Sequence, residues 1–144
     1  MANMTTTENK VGQHITNMAK FSQPVLFDTI GKGQFRPTDY DGVLEVDNKY
    51  WFAFEVKQKG KEMPYGQSLS YTRTADKWNQ CGDTAVVFVV EHEEVNPSKP
   101  IMLKDCRVAK YYTNGKWTIS KKRPTVTQLI QMIAERYNID KLGK

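Results

Sequence analysis

The residues whose types could do chemistry sit close together, in the stretch Asp41-Gly-Val-Leu-Glu-Val-Asp-Asn-Lys-Tyr-Trp-Phe-Ala-Phe-Glu-Val-Lys57. Two carboxylates and a lysine that converge have a physical use. Carboxylates hold Mg²⁺ or Mn²⁺ through hard oxygen ligands and leave positions open to water and phosphate. Such an ion polarises a phosphodiester and lowers the pKa of a bound water. A lysine beside it can orient or deprotonate that water, or neutralise charge developing on the phosphorane. The competing reading is an acidic–lysine cluster on a solvated sheet face, with no chemistry at all.

Convergence depends on two strands. Tyr40 to Val46 and Lys49 to Lys57 read as strands, and Asp47-Asn48 between them is a turn signal. On the second strand Tyr50, Phe52, Phe54 and Val56 share one face, and Trp51, Ala53, Glu55 and Lys57 the other. If Val46 pairs with Tyr50 across a three-residue loop, Asp41 falls opposite Glu55 and shares its face. A two-residue turn sends Asp41 to the other face unless a bulge intervenes. The chemical reading therefore requires an odd-length loop or a bulge.

Further elements must surround that hairpin. Lys10 to Phe21 reads as a short helix and Val25 to Ile30 as a strand. Tyr65 to Trp78 reads as a helix. Thr84 to Val90 is a continuous β-branched run, the pattern of a strand buried on both faces. Ile101 to Tyr112 and Lys116 to Ile119 are strands around an Asn114-Gly115 turn. Thr125, with Gln128 three residues on, has the spacing of a capping box. Val126, Leu129, Ile130, Ile133, Ala134 and Tyr137 then follow the helical period. The expected fold is α/β (α+β): a central mixed sheet flanked by helices, with a C-terminal hairpin and helix.

At this point the sequence resembles a family. Asp41-Gly-Val-Leu followed by Glu55-Val-Lys57 is similar to the core motif of the PD-(D/E)XK nucleases, and residues 10–90 can be laid onto their helix, three strands, helix, strand order. The resemblance implies a restriction-endonuclease-like three-layer core. It implies that Asp41 and Glu55 are metal ligands, joined by the Val56 carbonyl, and that Lys57 is the catalytic lysine. Asp39, in Pro37-Thr38-Asp39, is a second way to place the leading acid, with the same strand parity as Asp41. Gln67-Ser-Leu-Ser-Tyr71 puts Gln and Tyr on one helical face. It resembles the Gln-x-x-x-Tyr motif of lambda-exonuclease-like and RecBCD-type nucleases, where the pair touches substrate phosphate or the attacking water. Many family members also carry a glutamate on the first helix, for which Glu8 is the candidate here; His14 reads as a surface or packing residue.

The chain has 144 residues, 21 Lys plus Arg, 16 Asp plus Glu, and a net charge of +5. That fits a single domain spanning 1–144. No apolar run approaches the roughly 20 residues of a membrane helix. Two cysteines and two histidines leave no disulfide framework, no His-rich zinc site and few Cys-His or Ser-His-Asp schemes. The expected compartment is cytoplasmic, in a bacterial or phage-infected cell.

The first half of the chain is neutral, and Lys104 to Arg123 holds seven basic residues against one acidic. Lys104, Arg107, Lys110, Lys116, Lys121, Lys122 and Arg123 could contact phosphates in a salt-dependent way. Tyr111, Tyr112 and Trp117 among them could stack on unpaired bases. Arg73 and Lys77 are further candidates for backbone contacts. Gly31-Lys32-Gly33 lacks P-loop spacing, and Glu91-His92-Glu93-Glu94 reads as a solvated strand end. The expectation is a Mg²⁺- or Mn²⁺-dependent nuclease acting on DNA, directed by structure or ends, as a resolvase-like homodimer or a small exonuclease. The alternative is a non-catalytic nucleic-acid-binding module that retains the fold.

Overall fold

The computed structural model describes residues 7–8, 14–15 and 38–142. The chain divides into two units, Met1–Pro37 and Thr38–Lys144. In the first, β1 (Thr7–Glu8) pairs antiparallel with β2 (His14–Ile15). The helix expected over 10–21 is therefore not continuous, since positions 14–15 are extended. Thr7 and Ile15 are β-branched and favour extended chain. Glu8 accordingly lies in a strand, not on a first helix. The rest of that helix and the strand expected over 25–30 lie outside the described residues.

The second unit is an α+β arrangement. A five-stranded mixed sheet runs β3 (Gly42–Val46), β4 (Tyr50–Gln58), β5 (Thr84–His92), β6 (Arg107–Thr113) and β7 (Lys116–Ile119), in sequence order. Only β4 and β5 are parallel, and helix α1 (Tyr65–Gln80) provides their crossover. The other pairs are antiparallel. Helix α2 (Val126–Tyr137) closes the unit, followed by a 3₁₀ turn over Asp140–Leu142.

Strand alternation divides the core into two layers. Phe52, Phe54, Val86, Phe88, Val90 and Val108 pack with Val126, Leu129 and Ile133 of α2. Trp51, Ala53, Ala85, Val87 and Tyr112 pack with Tyr71 and Ala75 of α1. One helix thus covers each face, and β5 is buried from Ala85 to Val90, as its apolar run requires.

Local signals explain the ends of the elements. Asp47 and Asn48 sit at φ 56° and 53°, left-handed values that Asp and Asn tolerate, and the Lys49 N–H donates to the Val46 carbonyl. Asn114 and Gly115 do the same in the two-residue turn between β6 and β7. Thr125 and Gln128 form both halves of a capping box on α2. The strand expected from Ile101 instead begins at Arg107, after a 3₁₀ turn over Leu103–Asp105. The polar pair Lys104-Asp105 breaks the apolar pattern there.

Candidate active site

The β3–β4 ladder pairs Val46 with Tyr50 and Gly42 with Phe54 across the loop Asp47-Asn48-Lys49. That odd-length connection is the one the chemical reading requires. It brings Asp41, one residue before β3, opposite Glu55. The Asp41 Oδ2 accepts the Val56 N–H at 2.8 Å, which extends the ladder by a side chain. N–H and C=O of one strand residue point to the same neighbour, so the Val56 carbonyl also faces the β3 side.

Glu55 lies on the α1 face and is 2% exposed, the one buried charged side chain among the described residues. A buried carboxylate is costly unless paired. Both its oxygens are met. The Tyr71 hydroxyl donates to Oε1 at 2.6 Å, and the Lys57 ammonium lies 2.9 Å from Oε2. Lys57 also donates to Gln67 Oε1 at 3.4 Å, and Gln67 Nε2 donates to the Asp39 carbonyl at 3.1 Å. The helical i, i+4 spacing of Gln67 and Tyr71 turns both side chains onto the same strand end.

The electrostatics follow. Burial pushes the Tyr71 phenol well above its usual range, helped by the hydrogen bond to Glu55 and the charges of Glu55 and Asp41. Tyr71 therefore stays protonated and acts as a donor. Asp41 is also raised, first by desolvation and then by the Glu55 and Asp39 charges, against the Val56 hydrogen bond and the Lys57 ammonium. Asp41, Glu55 and Asp39 thus put negative charge close together, partly met by the Lys57 ammonium. Mg²⁺ is commonly held by one or two carboxylates, with water and phosphate completing the shell, and Asp41 with Glu55 supplies such a donor set. Each carboxylate oxygen keeps a second lone pair beyond the contacts described. Among the described residues no group of three or more His, Cys, Asp or Glu is gathered as an all-protein cage.

The structure thus brings together Asp41, Glu55, Val56, Lys57, Gln67 and Tyr71. Asp39 joins through its backbone carbonyl. The sequence reading missed Tyr40, whose ring stacks on Tyr71 at 4.2 Å and 17° and whose hydroxyl lies 2.6 Å from Ser70 Oγ. Its signal was its place next to Asp41 and the Ser within the Gln67–Tyr71 motif.

The basic segment is divided among different tasks. Arg123, at φ 47°, pairs with Glu91 at 2.6 Å, and its carbonyl accepts from Arg107 at 3.0 Å. Lys110 lies over the Trp117 ring at 4.7 Å. Lys104, Lys116, Lys121 and Lys122 are exposed, as are Arg73 and Lys77 on α1. The aromatic residues offered as base-stacking platforms serve the core instead. Tyr112 is buried and donates to Asp76 at 2.8 Å, Trp117 packs beside it, and Tyr111 packs on the opposite layer. Alternation along β6 and β7 puts these rings inward.

A cleft of about 360 Å³ at the ends of β5 and β6 is lined by Lys59, Glu91, Glu93, Glu94, Arg107 and Arg123 among others. Its mixed charge, with Arg123 already spent on Glu91, does not favour an anion. Among the described residues no helix is long and apolar enough to cross a membrane. The chain matches no protein-family model, no curated protein and no solved structure.

Proposed function

We propose that this protein is a divalent-metal-dependent nuclease that hydrolyses phosphodiester bonds in DNA, with β3, β4, α1 and β5 forming a restriction-endonuclease-like core. The observation that carries the reading is the β3–β4 register, which aligns Asp41 with Glu55 while Lys57 and Tyr71 engage the two oxygens of Glu55. A merely solvated cluster has no reason to bury a carboxylate and supply it with two dedicated donors.

In this reading Asp41 and Glu55 hold Mg²⁺ or Mn²⁺, with the Val56 carbonyl on the same side. When bound, the ion lowers the pKa of an attacking water and polarises the scissile phosphate. Tyr71 fixes one oxygen of Glu55 and so holds the carboxylate in one orientation. Lys57 stands at the other oxygen, where its ammonium meets charge that develops on the phosphoryl group. Gln67 holds Lys57 and the 39–41 segment in one hydrogen-bonded chain. The exposed lysines Lys104, Lys116, Lys121 and Lys122, with Arg73 and Lys77, supply salt-dependent contacts to the DNA backbone. In this reading the substrate is chosen by structure or by ends, as in recombination, repair or phage DNA processing.

The test is a cleavage assay with Mg²⁺ or Mn²⁺ on linear, single-stranded, flap and four-way-junction DNA. Wild type should cleave at least one, and Lys57→Ala should lose on the order of 10²–10³-fold in rate. Activity that survives Lys57→Ala, Asp41→Ala and Glu55→Ala would sink the assignment. DNA binding without cleavage by the wild type would leave a binding module.

A further inference from the structure

Asp41 has a positional problem that its own strand does not solve. The last backbone pair of the β3–β4 ladder is Gly42 with Phe54, so Asp41 lies beyond the ladder, exposed, at the start of an edge strand. The carboxylate itself is tied to β4, its Oδ2 accepting the Val56 N–H at 2.8 Å, but backbone pairing stops at Gly42, and ordering an unpaired strand end costs entropy. A carboxylate meant to meet Glu55 across a fixed gap needs an anchor of another kind.

Tyr40 is that anchor. It immediately precedes Asp41, so fixing its Cα fixes where Asp41 begins. Its ring stacks on Tyr71 at 4.2 Å and meets Trp51 edge-on at 6.2 Å and 67°. Its hydroxyl is 2.6 Å from Ser70 Oγ and 3.5 Å from Thr74 Oγ1. On its other side Asp39 is tied to Gln67 through its carbonyl. The segment 39–41 is thus attached to one face of α1, at Gln67, Ser70, Tyr71 and Thr74. The ring that anchors Asp41 is stacked on the residue that donates to Glu55. One aromatic pair therefore references both carboxylates to the same helix.

We propose that Tyr40 is a positioning residue that sets the separation of Asp41 from Glu55, and that the surface of α1 from Gln67 to Thr74 is shaped to seat it. The role of that separation in holding a cation rests on the nuclease reading. The contacts that create it do not.

The experiment measures Mn²⁺ binding by titration calorimetry, together with DNA cleavage and thermal melts, for wild type, Tyr40→Ala, Tyr40→Phe and Asp41→Ala. Tyr40→Ala should fold, yet bind Mn²⁺ about ten- to a hundredfold more weakly, as expected when a ligand loses its support. Tyr40→Phe keeps the stack and should recover most of the affinity. If Tyr40→Ala does not fold, Tyr40→Leu, which keeps apolar cover but cannot stack, carries the same expectation.

A purely structural Tyr40 would lower the melting temperature but leave Mn²⁺ affinity and cleavage of the folded protein at wild-type values. That result overturns the positioning role while Asp41→Ala still abolishes binding. A wild type that neither binds Mn²⁺ nor cleaves DNA overturns the nuclease reading and this role with it, so the two failures are distinguishable.

Discussion

The Tyr71 hydroxyl donates a 2.6 Å hydrogen bond to Oε1 of Glu55, in a place where neither residue reaches water: Tyr71 is 0% and Glu55 2% exposed. Burial and the neighbouring carboxylate keep the phenol protonated, so the donor is present across the working pH range. Tyr71→Phe removes it and leaves a buried carboxylate oxygen short of a partner. The expected cost is about 1–3 kcal/mol of stability and a roughly ten- to hundredfold fall in cleavage. Denaturant unfolding and single-turnover rates measure the two separately. A Phe variant that cuts at the wild-type rate would show that the bond has no role in the site.

Asp41 should trade stability for function. Its pKa is raised in the folded protein above the ordinary 3.8, chiefly by desolvation and the Glu55 charge. For a carboxylate shifted this way, stability is fully present below the unfolded pKa and is lost as pH rises through the folded value. Charged Asp41 therefore works against folding at neutral pH. Asp41→Asn keeps an acceptor for the Val56 N–H but removes the charge. Because Asp41 is exposed and solvent screens its charge, the variant's melting temperature should exceed that of wild type at pH 7 by a small margin, with the gap closing as pH falls below 3.8. The same variant should lose Mn²⁺ binding and cleavage. A lower melting temperature at pH 7 would contradict the electrostatic account.

Glu91 is the register partner of Lys57 on β5, yet its carboxylate is taken by Arg123. Arg123 holds this place in a left-handed conformation, φ 47°, unusual for a side chain of its size. In Arg123→Gln, Glu91 becomes free to compete with Glu55 for the Lys57 ammonium. Cleavage should fall, and adding Glu91→Gln should restore most of it. The two changes should couple by about 0.5–3 kcal/mol in a double-mutant cycle. Strict additivity would separate the Arg123–Glu91 pair from the site.

Thr125→Ala removes the capping box of α2, on the face of the sheet away from Tyr71. The expected loss is about 1 kcal/mol of stability, with the cleavage rate of the folded protein unchanged. Chemical denaturation and the cleavage assay check both halves. A fall in rate comparable to that of Tyr71→Phe would mean that the α2 layer controls the site.

Much of the hairpin was legible from the residues. Period-two alternation makes a register a yes-or-no matter, and Asp47-Asn48-Lys49 allows the odd connection that sets it. The buried β5, the Asn114-Gly115 turn and the Thr125–Gln128 box were legible for the same reason: each depends on neighbours a few positions away. The Lys10–Phe21 helix was misread at His14–Ile15, where apolar spacing suggested a helix but the chain pairs with Thr7–Glu8. The basic segment was legible only as a count. Which of its cations face solvent depends on partners such as Glu91, 32 residues from Arg123.

The sequence by itself determined which residues could act, Asp41, Glu55, Lys57, Gln67 and Tyr71, and the parity that lets the two acids share a face. Local stereochemistry carries that much, because alternation and helical spacing are properties of a few consecutive residues. The tertiary structure decided that Glu55 is buried, that Tyr71 and Lys57 divide its two oxygens, and that Tyr40 ties Asp41 to α1. These relations arise only when α1 packs across the sheet, bringing together side chains from segments that no local preference connects.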